Sequence, residues 1–283
     1  MTRSKATVIG FTAVLMWALP ALFTIGSAPV PPLLLNALCF GIGGVIGLVW
    51  TARQGFGVLK GISWKVYAFG TAGLFGYHFL YFTAFRLTPS AETGLIAYLW
   101  PLFIVLLSGL LPGERLRVQH VIGALVAFAG AAVIVLGREG EASSAAGLAL
   151  AFLCALTWAG YSVVSRRLGD VPTESVTVFC LATAALSVIA HLALETTVWP
   201  ATTLGWAAVL ALGIGPVGAA FFTWDIGMKR GDIQLLGVAS YAAPLLSTLA
   251  LVAAGIARPT WTIALAAVLI TAGAALAARA AKD

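Results

Sequence analysis

Two stretches of sequence decide the fold: Gly-Leu-Ile-Ala-Tyr-Leu-Trp-Pro at residues 94–101 and Gly-Val-Ala-Ser-Tyr-Ala-Ala-Pro at residues 237–244. Their Gly, Tyr and Pro stand at identical spacing, and long apolar runs surround both stretches. Proline lacks a backbone donor and clashes with the preceding helical turn. Each stretch therefore predicts an interruption inside an apolar helix, with aromatic side chains beside it.

The composition predicts a membrane protein. The chain has 283 residues, of which 61% are hydrophobic and 9% are charged, whereas soluble domains carry roughly 25% charged residues. The net charge of +6 does not indicate nucleic-acid binding, because the Lys and Arg residues stand singly or in pairs between apolar runs. This spacing is typical of membrane loops.

The apolar runs predict an all-α integral membrane protein with ten transmembrane helices. Each run approaches the roughly twenty residues that a helix needs to cross the hydrocarbon. The predicted spans are 6–26, 32–51, 65–86, 90–111, 118–137, 146–166, 173–194, 204–227, 232–255 and 260–280. Charged residues, Pro or Gly mark the breaks between them.

The positive charges predict the orientation. With the N-terminus in the cytoplasm, thirteen of the sixteen Lys and Arg residues, Lys282 among them, fall on the cytoplasmic side. Only Arg86, Arg138 and Arg258 fall outside. Cytoplasmic loops carry such an excess of Lys and Arg. We therefore expect a multi-pass protein with both termini in the cytoplasm.

An internal repeat relates the two ends of the chain. The offset is 141 between Trp17 and Trp158 and 143 between Tyr98 and Tyr241. The sequence thus divides into halves, 1–140 and 141–283, of five predicted spans each. Because five is odd, the second half enters the membrane from the opposite side, which makes an inverted-topology repeat. Such repeats let a central site open to either side in turn, as a carrier requires.

Aromatic residues near the interrupted helices are the candidate substrate-binding groups. Carrier sites lie near mid-membrane, where the repeats meet, and single aromatics at span ends belong instead to the interfacial belt. The belt prediction covers Trp50, Trp64, Trp199, Trp206 and Trp261. The predicted substrate-binding residues are Trp17, His78, Tyr81, Tyr98, Trp100, Trp158, Tyr161, Trp224 and Tyr241, and the predicted kinks lie at Pro20, Pro101 and Pro244.

Few ionisable groups lie inside the spans, where such groups are functional candidates by default. His78 shares a helix face with Tyr81, three residues on, and is the one assigned to the site. The others have candidate structural partners, and two of these pairs stand at the helical spacing of four residues. We expect Asp225 to pair with Lys229, His191 with Glu195, and Glu92 with Arg86.

Several activities lack their residues. The chain has no Walker motif, no HExxH and no GxSxG, which argues against nucleotide hydrolysis and against protease or esterase chemistry. No Lys or Arg lies at mid-span, which argues against phosphorylated substrates. Cys39, Cys154 and Cys180 lie in apolar runs without metal-ligand spacing. We predict no enzyme activity, no catalytic residue, no cofactor and no metal.

The chain resembles the drug/metabolite transporter superfamily in its EamA-like branch. The motif-bearing stretch is 91–130, with Tyr-Leu-Trp-Pro at 98–101, Gly-Glu-Arg at 113–115, and Gly123 and Gly130 after it. The Tyr-Leu-Trp-Pro form is similar to that of YddG-type bacterial exporters of aromatic amino acids. In the second half, Ala257 stands where the element would carry the counterpart of Glu114.

The resemblance implies export of aromatic or large neutral amino acids and related metabolites across the bacterial inner membrane. It favours Trp17, His78, Tyr81, Tyr98 and Trp100 as cavity lining, together with Trp158. The expected partners are an amino-acid-like substrate and membrane lipid, without nucleic acid, for a protein that functions as a monomer. Two alternatives stay open: efflux of lipophilic cations through the same aromatic cavity, and a lipid-modifying enzyme that uses His78 with Asp225.

Overall fold

The computed structural model describes residues 1–88, 91–136 and 144–280, without the side chains of residues 91, 92, 134, 135 and 280. Throughout these ranges the regular structure is helical, with no strand. The helices are α1 (Arg3–Met16), α2 (Pro20–Gly26), α3 (Pro32–Gln54), α4 (Trp64–Leu87), α5 (Ala91–Ala97), α6 (Trp100–Ser108), α7 (Val118–Leu136), α8 (Ala145–Arg167), α9 (Ser175–Leu194), α10 (Thr203–Ile214), α11 (Ala220–Arg230), α12 (Ile233–Ala239), α13 (Ala242–Ala253) and α14 (Trp261–Ala280).

Seven helical segments in the described part of the chain are long and apolar enough to cross a membrane. Two shorter apolar helices cover Thr93–Ser108 and Val118–Val133. The 24-residue helix α4 is not among the seven. The predicted half boundary at residues 140 and 141, the cations Arg138 and Lys282, and the Glu92 side chain lie outside what is described.

Helix starts follow local capping rules. The side chains of Ser63, Ser144, Thr202 and Asp232 each accept a hydrogen bond from a backbone N–H in the first turn of the helix that follows. These N–H groups have no carbonyl partner within the helix, and such caps stabilise a helix start by about 1 kcal/mol each. The polar residues between apolar runs thus set where α4, α8, α10 and α12 begin.

Four long segments are interrupted. Helix α1 ends before α2 starts at Pro20, α6 starts with Trp100 and Pro101, and α13 carries Pro244 in its first turn. The fourth interruption is a π-helical turn, Gly215–Ala219, between α10 and α11. Pro216 lies in this turn, and π-turns inside α-helices are frequent at functional sites. The sequence analysis did not predict this fourth interruption.

Helix packing relies on glycine at three crossings. A Cβ added at Gly10 would lie 2.8 Å from the Gly227 Cα, so α1 and α11 touch through their backbones. A Cβ added at Gly43 of α3 would likewise lie 2.8 Å from the Gly218 Cα of the π-turn. At the third crossing, Gly123 of α7 packs on α14. Small residues permit this close approach between helices in a bilayer.

Helices pack mostly between the halves of the sequence. Helix α1 packs along α11, α4 along α8, α3 along α9, and α7 along α14. We call the first two the α1–α11 pair and the α4–α8 pair. The aromatic residues described below lie between these two pairs.

Two charged clusters mark two faces of the bundle. The N-terminal face gathers Arg3, Glu114, Arg166 and Asp232. At the opposite face, Glu195 accepts hydrogen bonds from Arg86, from His191 and from the first backbone N–H groups of α3. The helices of both pairs run between these faces.

The ion pairs predicted from helical spacing are present. The Lys229 Nζ lies 2.9 Å from the Asp225 Oδ2, and the His191 Nδ1 lies 2.8 Å from the Glu195 Oε2. Arg86, expected beside Glu92, pairs with Glu195 because the end of α9 lies next to the end of α4. Tertiary proximity thus supplies a partner that sequence spacing could not reveal.

Candidate functional site

Four tryptophans from four separate segments meet between the helix pairs. Trp17 and Trp224 come from the α1–α11 pair, Trp158 comes from α8, and Trp100 comes from the break before α6. All six pairs of rings have centroid distances between 4.9 and 6.4 Å. We call this group the indole cluster. Most of its contacts are edge-to-face or tilted, which is the favoured geometry for aromatic rings.

Two of the four indoles are held by hydrogen bonds. The Trp17 Nε1 donates to the carbonyl of Pro216 at 3.0 Å, and the Trp224 Nε1 donates to the Ser162 Oγ at 3.1 Å. The first bond uses a carbonyl of the π-turn, and the second crosses from α11 to α8. The π-turn therefore positions Trp17, and Ser162 positions Trp224.

The other two indoles keep their donors free. Among the described residues, neither the Trp100 nor the Trp158 Nε1 has a hydrogen-bond partner, although these side chains are only 6% and 2% exposed. A buried tryptophan usually finds a partner for its N–H. Because the two rings also lie edge to face at 6.4 Å, the two N–H donors belong to one compact apolar group.

His78 presents a defined tautomer beside the indole cluster. Its Nδ1 lies 2.8 Å from the Leu74 carbonyl oxygen, which can only accept, so Nδ1 carries the proton. In the neutral ring the Nε2 is then an acceptor. The ring lies 5.0 Å from Phe40, 5.0 Å from Tyr77 and 5.9 Å from Phe221. His78 thus adds an acceptor to a wall that is otherwise aromatic.

The indole cluster and the aromatic residues around it form one region, and burial differs between its two ends. Trp158, Tyr161 and Trp224, which lie toward the N-terminal face, are 4% exposed or less. The members on the other side are half-buried, and they are Trp17, Tyr77, His78, Tyr81, Phe82 and Tyr98. Helix α4 runs toward the opposite face, so Tyr77, His78 and Tyr81 follow one another in that direction. The region is closed toward the N-terminal face and less covered toward the opposite face.

The predicted site residues divide by location. Trp17, Trp100, Trp158 and Trp224 form the indole cluster, and Tyr161 stacks on Trp158 at 5.2 Å. His78 adjoins the cluster through Tyr77 and Phe221, and Tyr81 packs on Tyr77 at 6.1 Å. Tyr98 is half-buried and lies in the break between α5 and α6, directly after Ala97.

The structure does not bring Tyr241 to the indole cluster. Tyr241 is fully buried, packs on Phe128 at 5.8 Å, and accepts a hydrogen bond from the Leu102 backbone N–H at 3.1 Å. That N–H lies just past Pro101, where the interrupted helix leaves donors without a helical acceptor. Tyr241 therefore stabilises the break at Pro101 from a separate core.

Four aromatic residues of the region, Phe82 among them, were not predicted. Tyr77 lies four residues before Tyr81, and Phe221 lies three residues before Trp224, so helical spacing could have found both. Phe40, which stacks on Phe221 at 5.2 Å, lies in α3, and no motif in the sequence singles it out. Phe221 also lies 5.7 Å from Trp158, which makes it a bridge between the two helix pairs.

The chemistry available here is binding. In the described part of the chain, no group of His, Cys, Asp and Glu residues could hold a metal ion. No hydrogen bond or ion pair joins Asp225 to His78 among the described contacts: the Asp225 carboxylate pairs with Lys229 and accepts a hydrogen bond from the Thr173 hydroxyl at 2.7 Å, and the His78 Nδ1 bonds the Leu74 carbonyl. The acid–base pair that a lipid-modifying enzyme would need is therefore not assembled. Aromatic rings, two N–H donors and one imidazole acceptor suit a small aromatic solute.

Comparison with known proteins assigns the family. The sequence is 56% identical to the aromatic amino acid exporter YddG of Ancylobacter novellus over 98% of both chains, and 27% identical to that of Salmonella typhimurium over 88% of both. A solved crystal structure with 56% identity matches 98% of both chains with a TM-score of 0.93. Residues 4–136 and 145–279 each match the EamA-like transporter family. The chain belongs to the EamA-like transporter family.

Proposed function

We propose that this multi-pass membrane protein exports aromatic and other large neutral amino acids, and related metabolites, across the bacterial inner membrane. The observation that carries the proposal is the indole cluster, in which the N–H donors of Trp100 and Trp158 have no partner among the described residues. The names of the relatives from Ancylobacter novellus and Salmonella typhimurium support the substrate class.

Recognition would use three kinds of contact. The aromatic side chain of the substrate packs among the rings of the indole cluster. Its carboxylate accepts hydrogen bonds from the Trp100 and Trp158 indoles, and such charge-assisted bonds are the strong ones. Its ammonium donates to the Nε2 of His78 and is attracted to the faces of Tyr77 and Phe221. Membrane lipid surrounds the protein, which functions as a monomer.

Ten spans in two inverted halves, 1–140 and 141–283, form the proposed topology. The seven candidate spans, helix α4 and the two shorter apolar helices together make ten. The two family matches, one in each half, support the division. Helix packing supports the inversion. When each helix is replaced by its counterpart in the other half, the α1–α11 pair becomes the α8–α4 pair. The contact of α3 with α9 and the contact of α7 with α14 each map onto themselves.

Transport would proceed by alternating access between the two helix pairs. The indole cluster joins residues of both pairs, so relative movement of the pairs would open the site toward one face and close it toward the other. The charge bias supports a cytoplasmic location of the N-terminal face and of both termini. With this orientation, the more exposed side of the aromatic region would face outward.

Flux of labelled tryptophan in proteoliposomes tests the function. We expect protein-dependent flux that falls on Trp100→Ala, with Trp261→Ala as the matched control, because Trp261 is 74% exposed and lies outside the cluster. Absence of flux with every aromatic and large neutral amino acid tried would refute the substrate class.

Efflux of lipophilic cations is the second candidate, since aromatic faces also attract cations without a carboxylate. Competition separates the two functions. If a quaternary ammonium dye is transported and tryptophan does not compete with it, the cation function replaces the amino-acid function.

A further inference from the structure

The charged cluster of the N-terminal face connects the two helix pairs. The Glu114 carboxylate, in the loop between α6 and α7, pairs with Arg166 at the end of α8 and lies 3.2 Å from the Arg3 Nη2 of α1. Arg3 also lies 3.5 Å from the Asp232 Oδ2. The Glu114 side chain is only 6% exposed, so water screens its pairs less than those of a surface carboxylate.

Two sets of contacts in this cluster cross between the pairs. The Arg3–Glu114 ion pair joins α1 to the loop that carries Glu114 beside α8. In the other direction, the Arg166 Nη1 donates to the carbonyls of Met228 at 3.0 Å and Gly231 at 2.8 Å, at the C-terminal end of α11. An arginine at a helix C-terminus is favoured by the helix dipole. Separation of the pairs at this face would break both sets.

The opposite face lacks the counterparts of this cluster. The repeat offsets of 141 and 143 place Ser144 opposite Arg3, Ile25 opposite Arg166 and Ala257 opposite Glu114. All three are uncharged. Among the described residues of the opposite face, Glu195 pairs with Arg86 of α4 and with His191 of α9, and neither pair joins the α1–α11 pair to the α4–α8 pair.

We infer that Glu114, with Arg3 and Arg166, is a one-sided ionic latch that favours closure of the N-terminal face over closure of the opposite face. A symmetric inverted repeat would give its two closed forms similar free energies. Among the described residues, only closure of the N-terminal face gains an ion pair, Arg3–Glu114, and the hydrogen bonds from Arg166 to the end of α11 between the moving parts. The latch therefore sets the resting conformation, and each transport cycle has to open it. This inference uses the proposed alternating access but makes no assumption about the substrate.

The test measures a distance across the N-terminal face. Spin labels are attached at Lys5→Cys, in the first turn of α1, and at Asp170→Cys, just after the end of α8. Both replace exposed residues without a described ion pair. The three native cysteines, all buried, are replaced by Ala. In lipid nanodiscs the parent protein should give mainly one short distance.

Glu114→Gln should add a longer distance and shift the ratio of open to closed forms about tenfold, because it removes the counter-charge of Arg166 and one of the two carboxylates beside Arg3. Arg3→Gln should shift the ratio less, since Arg3 is 52% exposed and an exposed pair contributes little. Arg3 lies near the chain terminus, so this variant still reports if Glu114→Gln folds poorly.

Glu174→Gln is the matched control. Glu174 starts α9 on the same face, and no described residue pairs with it. An equal shift in Glu174→Gln, or unchanged distances in both Glu114→Gln and Arg3→Gln, would overturn the latch. Flux measured on the same samples keeps the two proposals apart. If the protein exports tryptophan but the latch variants leave the label distance unchanged, only the latch is refuted. If the distance shifts but no tryptophan flux is found, only the proposed substrate is refuted.

Discussion

Replacement of Trp158 by Phe isolates the proposed carboxylate contact. The variant keeps an aromatic ring between Trp17 and Trp100 but removes the indole N–H that has no partner among the described residues. A hydrogen bond to a charged group contributes about 1.5–3 kcal/mol. Since about 1.4 kcal/mol is tenfold in affinity, the dissociation constant for tryptophan should rise about ten- to 150-fold.

Trp224→Phe is the matched control, because it makes the same ring change in the same cluster. The Trp224 N–H already donates to the Ser162 Oγ at 3.1 Å and is not free for a substrate. Its loss should lower the free energy of unfolding by about 1 kcal/mol, while the affinity for tryptophan changes far less than in Trp158→Phe.

Equilibrium binding of two ligands completes the test. Tryptophan and tryptamine share the indole ring and the ammonium, but tryptamine has no carboxylate. We expect Trp158→Phe to weaken tryptophan binding and to leave tryptamine binding nearly unchanged. Equal losses for both ligands would show that the ring, not the N–H, carries the effect, and the carboxylate contact would be refuted.

Three further predictions concern the scaffold. Gly123→Ala should lower the free energy of unfolding, measured by thermal denaturation, by about 1–3 kcal/mol. The reason is that the new alanine Cβ would lie 2.6 Å from the Gly273 carbonyl oxygen. Asp225→Asn should destabilise by about 3–5 kcal/mol, since the buried Lys229 ammonium loses its counter-charge, and a further Lys229→Met should restore the melting temperature. Tyr241→Phe should cost about 1 kcal/mol of stability but leave the KM for tryptophan unchanged, because this hydroxyl lies outside the indole cluster; a raised KM would return Tyr241 to the site.

The family matches agree with what the sequence predicted about class. The resemblance to EamA-like transporters is confirmed, and the names of the family and of its relatives confirm that the chain is a transporter rather than an enzyme. Helical spacing also revealed the Asp225–Lys229 and His191–Glu195 pairs, because residues four apart are neighbours on any helix. The ten-span topology and its inversion stay predictions, and seven helices of the described part of the chain are long and apolar enough to cross a membrane.

The sequence by itself determined what local chemistry can determine. Apolar runs specify helices that must satisfy their own backbone groups in lipid, and Pro20, Pro101 and Pro244 specify where three of those helices break. Only the tertiary structure decided which aromatics meet. Tyr98 and Tyr241 are equivalent in the repeat, yet Tyr98 is half-buried, whereas Tyr241 is fully buried. Tyr241 packs on Phe128 and accepts a hydrogen bond from the backbone N–H that follows Pro101. The reason is physical: spacing fixes the face of a single helix, whereas the neighbour of that face depends on how separate helices pack.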